Sequence, residues 1–143
     1  LPLTLTLPDV ESALVTYGKA YAALTAVTGT RIATELPPKP SFPSLKLTRV
    51  GGTPEHTGVD HPIIQFECYG TTDLTAYGVY EKAFKAFIEL PYVAPVQGSV
   101  YFGAADPAIP LNFLPDTSIK DPTSGKSQPR YIFGIMFRAQ QYP

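Results

Sequence analysis

The chain has 143 residues, carries 11 Lys and Arg against 12 Asp and Glu for a formal net charge of −1, and is 44% hydrophobic but only 16% charged. That balance is too apolar for a disordered chain and poor in charge for a free-standing soluble protein, so part of the surface is expected to be uncharged or covered by a partner. The length fits one domain over residues 1–143, which buries roughly two-thirds of the surface of its extended chain without cross-links. The basic residues are spread from Lys19 to Arg138 and form no stripe, which disfavours sequence-independent nucleic-acid binding. A lone Cys68 excludes an intrachain disulfide and a cysteine-only zinc site. No apolar run approaches the ~20 residues of a membrane-spanning helix. The alternating opening from Leu1 to Leu7 lacks the basic flank and apolar core of a secretion signal. A soluble protein made in a cytoplasm is the expectation.

The 16 prolines divide the chain, because each fixes φ and removes an amide donor. Regular structure is expected in the proline-free windows from Asp9 to Leu36, Ile63 to Leu90 and Arg130 to Tyr142. Asp9 reads as an N-cap with Glu11 in the first turn, and Val10, Leu14, Tyr17, Tyr21 and Leu24 recur at helical spacing, predicting a helix over about Val10 to Val27. Gly18 inside it hints at close packing. The alternation in Arg31 to Leu36 predicts a short strand before the loop that starts at Pro37. Ser44 to Val50 and Ile63 to Tyr69 each show the period of a half-buried strand, and together predict an antiparallel hairpin with a long tip. Leu45, Leu47, Ile64, Phe66 and Cys68 should face inward, with Lys46, Thr48, Gln65, Glu67 and Tyr69 outward.

A second helix is expected from Asp73, read as its N-cap, with Leu74, Tyr77, Tyr80, Phe84, Phe87 and Ile88 on the buried side, Lys82, Lys85 and Glu89 on the other, and Pro91 as its terminator. Val96 to Ala104 reads as one strand. Asp106 to Pro129 holds five prolines and reads as turns, with Leu111 to Leu114 the one candidate for a short strand. Tyr131 to Ala139 is apolar on both faces and reads as a central, doubly covered strand. The order predicts an α+β domain, a mainly antiparallel sheet with two helices on one face.

Catalytic machinery is not evident. Glu55, His56, Asp60 and His61 bring both histidines and two carboxylates into one loop, the nearest approach to a metal or acid–base site. They sit on a glycine- and proline-flanked tip instead of a rigid scaffold, and a solvated or interface loop is the favoured reading. Ser124-Gly125-Lys126-Ser127 lacks the preceding glycine and following helix of a phosphate loop. Cys68 alternates with Ile64 and Phe66 and reads as a core thiol, not a nucleophile. Tyr69, Tyr92 and Tyr101 fall on predicted outward faces or loops, as suits a subunit interface or a stacking surface for a small ligand.

The order of segments then matters more than any one of them. Leu7-Pro8-Asp9-Val10-Glu11 opens a helix, Arg31-Ile32-Ala33-Thr34-Glu35-Leu36-Pro37 follows it, and Leu45-Lys46-Leu47-Thr48-Arg49-Val50-Gly51-Gly52 comes next. Asp60-His61-Pro62, a strand ending in Cys68-Tyr69-Gly70, a second helix and a closing apolar strand with Arg138 complete the series. From about Leu7 to Ala139 this resembles the tail terminator proteins of long-tailed, siphovirus-type phages, especially those of actinobacteria. The resemblance implies a non-enzymatic structural protein without cofactor or metal. Its members form a homo-hexameric ring that caps the tail tube, ends tube polymerisation and meets the head-completion or stopper protein. DNA passes through the lumen without sequence-specific binding. Localisation would be the head-proximal end of the virion tail, and the host cytoplasm during assembly. The segment from Pro107 to Pro129 departs from the pattern by its length and proline content. Interface candidates are Arg31, Glu35, Arg49, Glu55, His56, Asp60, His61, Asp116, Lys120, Lys126, Arg130 and Arg138. They lie either in the two long excursions, the hairpin tip Gly51 to His61 and the loop Asp116 to Pro129, which are expected to contact the tube or the neck, or are partners in ion pairs between subunits, with Arg31, Arg49, Arg130 and Arg138 beside Glu35, Glu55, Asp60 and Asp116. The alternatives are a head–tail connector or stopper ring, a small carbohydrate- or ligand-binding module, and last a metal-dependent hydrolase.

Overall fold

A computed structural model of the chain describes residues 7–55, 57–120 and 124–142. Asp9 caps the first helix as its sequence position requires. Its Oδ1 accepts from the Ser12 amide at 3.2 Å and its Oδ2 from the Ser12 hydroxyl at 2.9 Å. The predicted single helix is two: α1 (Val10–Ala20) and α2 (Ala22–Thr28) are separated by Tyr21, whose backbone is extended at φ −87° and ψ 106°. Neither proline nor glycine marks this break. A tertiary contact accounts for it, since the Tyr21 hydroxyl donates to Glu89 Oε1 at 2.7 Å, and α2 after the bend buries Leu24 and Thr28. Gly18 does serve close packing, because a Cβ there would lie 3.2 Å from Phe87 Cζ.

The strand expected from Arg31 to Leu36 shrinks to β1 (Ile32–Ala33), which runs parallel to β2 (Ser44–Gly51) with Ile32 opposite Leu45. Parallel neighbours require a crossover, so the chain leaves the sheet after Ala33 to return in the same direction. The predicted hairpin is present, with β2 antiparallel to β4 (Ile63–Tyr69) and Leu47 opposite Phe66. Its tip is not free, however. β3 (Val59–Asp60) lies within it and pairs with the last strand.

Helix α3 (Asp73–Ile88) is capped by Thr72, whose hydroxyl accepts from the Thr75 amide at 3.1 Å, so Asp73 is its first residue and not its cap. Its buried stripe is Ala76, Val79, Ala83, Ala86 and Phe87. Alanines at three of these positions let the helix axis approach the sheet. The stripe is rotated away from the predicted one, leaving Leu74 81% and Tyr77 38% exposed. Pro91 does not end the helical region either. It sits in the first turn of the short α4 (Leu90–Val93), where a missing amide costs no hydrogen bond.

Val96 to Ala104 is a hairpin rather than one strand: β5 (Val96–Gln97) turns at Gly98-Ser99 into β6 (Val100–Phe113). β6 runs on through Pro107 and Pro110, where turns were expected. It pairs with the last strand on one side, and beyond Tyr101 no described strand pairs with the other, so a proline amide is not needed there. Register slips after Phe102, Pro107 and Ile109 absorb the irregularity. A separate small hairpin, β7 (Asp116–Lys120) and β8 (Ser127–Gln128), follows. The chain closes on β9 (Arg130–Gln141), which is central as expected, with β4 and then β3 along one side and β6 along the other. The sheet order is β1-β2-β4-β9-β6-β5.

The α+β reading therefore holds: the sheet is antiparallel apart from the β1–β2 pair, and helices pack on one of its faces. The core lies between them. Phe66 stacks on Phe133 at 4.8 Å and 7°, Phe87 meets Phe66 at 4.8 Å, and Tyr17 reaches over Phe87 to donate its hydroxyl to the Ala86 carbonyl at 2.8 Å. Among the described residues no helix is long and apolar enough to cross a membrane.

Candidate assembly surface

The tip between β2 and β4 is held by one arginine. Arg49 lies two residues before the end of β2, and its guanidinium grips Asp60 in two parallel bonds, Nη1 to Oδ2 at 2.5 Å and Nη2 to Oδ1 at 2.8 Å. Its Nε donates to the Gly51 carbonyl at 3.1 Å, Nη2 also reaches the Gly52 carbonyl at 3.2 Å, and its amide donates to Glu11 Oε2 at 3.3 Å. Asp60 is 1% exposed, so this pair is shielded from water on the carboxylate side. The chain can turn here because Gly52 has φ +94° and a Cβ on it would overlap the His61 carbonyl. Farther out, His61 Nε2 lies 2.9 Å from Glu55 Oε1 and Thr57 Oγ1 donates to Glu55 Oε2 at 3.2 Å. These hydrogen bonds, His61 first, hold the exposed Glu55 carboxyl below its usual range. Both Asp60 oxygens are occupied by Arg49, so Glu55, Asp60 and His61 do not converge as a ligand set. His56 lies outside the described residues.

A second network lies on the sheet face away from the helices, where alternation placed Glu67 and Tyr69 in solvent. Instead they are 5% and 1% exposed. The reason is a cover that sequence spacing does not reveal. The Phe42 ring sits 5.4 Å from Tyr69, and the start of β7 brings Asp116 over the strand. The Tyr69 hydroxyl donates to Asp116 Oδ2 at 2.8 Å. Arg130 Nη1 donates to Glu67 Oε1 at 2.7 Å and lies 3.5 Å from Asp116 Oδ2, and its Nε donates to the Leu114 carbonyl at 2.8 Å. Lys46 Nζ adds a contact to Glu67 Oε2 at 3.5 Å. Burial and the hydrogen bond to Asp116 push the Tyr69 phenol far above its ordinary value. Burial alone would raise the Asp116 carboxyl, but hydrogen bonds from Ser118 and Tyr69 with the Arg130 charge outweigh it and hold it low. The network anchors the 114–116 segment, and with it the β7–β8 hairpin, to the sheet.

Among the charged residues offered for ion pairs between subunits, Arg49 instead pairs with Asp60 and Arg130 with Asp116 within the chain. Arg31, Glu35, Lys120, Lys126 and Arg138 are exposed. Arg138 stands close enough to Glu55 for its charge to act on that carboxyl. Cys68 is fully buried, and desolvation pushes its thiol up, which rules it out as an accessible nucleophile. The supposed tyrosine surface is dispersed, with Tyr69 buried, Tyr101 half-buried and Tyr92 84% exposed.

Exposed apolar residues lie close together in sequence or in ring contact at two places, apart from isolated ones such as Val50 and Met136. Leu74 and Tyr77 share one side of α3, three residues apart, and the Tyr77 ring meets Tyr131, which in turn meets Phe113 on β6; Leu111, Phe113 and Leu114 are all at least 36% exposed. On α4 and β5, Tyr92, Val93 and Val96 are 84%, 60% and 39% exposed. Large contiguous exposed apolar patches mark surfaces that meet other molecules. Proline-rich composition hid the first, since Leu111 to Leu114 lay inside a segment read as turns.

Neither a protein-family model nor a curated protein matches the chain. Among solved structures it is similar over 92% of its length to 94% of a chain in the "Virion of native gene transfer agent (GTA) particle", with a TM-score of 0.62 and 17% identity. At that identity the likeness is one of fold, spanning nearly the whole of both chains.

Proposed function

We propose that this chain is a non-enzymatic structural protein of a phage-like virion, and specifically a tail terminator. It forms a homo-hexameric ring that caps the tail tube, stops its growth and presents its other face to the neck. The observation that carries this reading is the fold shared end to end with a chain of a virion particle. A bent or partial match would leave room for a grafted module; here both chains are covered almost completely. A closed ring needs a heterologous interface, in which one surface of each subunit meets a different surface of the next. The two exposed apolar areas, one at Leu74, Tyr77 and Phe113 and the other at Tyr92, Val93 and Val96, supply two distinct surfaces of that kind. Arg31, Glu35, Lys120, Lys126 and Arg138 are the charged candidates left facing outward once the intrachain pairs are set aside.

The test is the mass of the purified protein by light scattering, alone and with tail-tube subunits of the same virion, with tube length followed by electron microscopy. A hexamer, or a monomer that becomes a ring on tube ends and halts their extension, is expected. A ring that binds neck proteins and leaves tube length unchanged would instead identify a connector or stopper. A persistent monomer without effect on tubes would overturn the virion reading.

A further inference from the structure

The sheet edge at β1 carries a hollow that neither ion-pair network uses. The crossover from Ala33 to Ser44 stands away from the sheet and encloses about 300 Å³ between the end of α1, β1 and the start of β2, at the lower end of the range for small-molecule sites. Its floor is apolar: Ile32 and Leu45 are 1% and 0% exposed, and half-buried Leu36 forms a wall. Its rim carries Lys19, Arg31 and Lys39 against the single carboxylate of Glu35, all four exposed. None of them has an ion-pair partner among the described residues. Lys46, Arg49 and Arg130 are each matched to carboxylates, and of the basic residues without an ion pair among the described residues Lys19, Arg31 and Lys39 share one concavity. In a chain of net charge −1, an unmatched cationic rim around a concavity is a local excess of positive charge.

Two further features give the hollow order. The Arg31 Nε donates to the Pro43 carbonyl at 2.7 Å, which holds the guanidinium at the mouth, and among the described residues its terminal nitrogens make no hydrogen bond that would compete with a planar anion. Ser44, which also lines the hollow and is 2% exposed, has a hydroxyl with no hydrogen-bond partner among the described residues. Buried polar groups are ordinarily paired, and a polar group entering from the hollow is the partner the local architecture leaves room for.

We propose that this hollow binds a small amphipathic carboxylate, its apolar body on Ile32, Leu36 and Leu45 and its carboxylate among Arg31, Lys19 and Lys39. The site is independent of the virion reading and survives its failure. Hexanoate is the probe and hexanamide its uncharged control, followed by NMR of the Ile and Leu methyl groups in the full chain. Saturable shifts at Ile32 and Leu45 are expected with hexanoate and not with hexanamide. The exposed pair of changes Lys19→Glu and Lys39→Glu should weaken hexanoate on the order of tenfold with the spectrum otherwise unchanged. Inorganic phosphate should compete only weakly, because it has no apolar body. Equal shifts with hexanamide, no saturation, unchanged affinity in the double variant, or phosphate binding tighter than hexanoate would each overturn the proposal.

Discussion

Replacing Arg49 by Met should destabilise the fold more than replacing its partner Asp60 by Asn, and the asymmetry follows from burial. The Asp60 side chain is 1% exposed whereas that of Arg49 is 31% exposed. Without Arg49, the carboxylate remains sealed under the tip with neither of its oxygens bonded to a cation, and the carbonyls of Gly51 and Gly52 lose their donor. Removing one member of a buried pair costs about 3–5 kcal/mol. In Asp60→Asn the arginine turns its partly exposed head to water and keeps its carbonyl bonds, so the loss should be about 1–2 kcal/mol. For a domain of this size the first change lowers Tm by roughly 10–20 °C and the second by roughly 5 °C. The chain has no Trp, so urea unfolding is followed by far-ultraviolet circular dichroism, with midpoint and slope compared at pH 7. The double variant Arg49→Met/Asp60→Leu should recover part of the loss, because no unpaired charge is left behind. If Asp60→Asn proved as costly as Arg49→Met, or if both stayed under about 1 kcal/mol, the idea that this pair clamps β3 to the end of β2 would fail.

The second network carries an acid dependence. The Asp116 carboxyl is held below its ordinary value in the folded chain, so its contribution is present above the unfolded carboxylate pKa and fades as pH falls through the lower folded value. Stability measured by urea midpoint should drop from about pH 4 downward. Asp116→Asn should flatten that drop while costing about 1 kcal/mol at pH 7; an unchanged acid profile would separate Asp116 from it. At Gly134, a Cβ would sit 2.6 Å from the Ile109 side chain. Gly134→Ala should therefore cost about 1–3 kcal/mol by overpacking, and adding Ile109→Ala should return part of it in a thermal melt, whereas a silent Gly134→Ala would show that β6 yields there.

How far the sequence reached depends on the range of the interaction that decides each element. The Asp9 cap, the pairing of Ser44–Val50 with Ile63–Tyr69, the buried Cys68 and the central position of the last strand were all legible, because each is set by local capping or by period-two alternation against a single core. Proline was a poorer guide. It read as a terminator at Pro91 and as turns at Pro107 and Pro110, yet Pro91 opens a helix and the other two lie in an edge strand, since a missing amide matters only where a hydrogen bond would have been made.

What tertiary structure alone decided are contacts between segments far apart in the chain. The break at Tyr21 depends on Glu89, the burial of Tyr69 on Phe42 and Asp116, and the rotation of α3 on the alanines that let it approach the sheet. The charged residues show the same division. Their exposure was expected from composition, but which of them are matched within the chain is a matter of geometry: Arg49 meets Asp60 and Arg130 meets Glu67 and Asp116, while Arg31, Lys19 and Lys39 are left unmatched around a hollow. Amino-acid order alone sets the periodicity that makes an α+β core. It does not set which side chains meet across that core, because those pairings are chosen by how the faces pack and not by spacing along the chain.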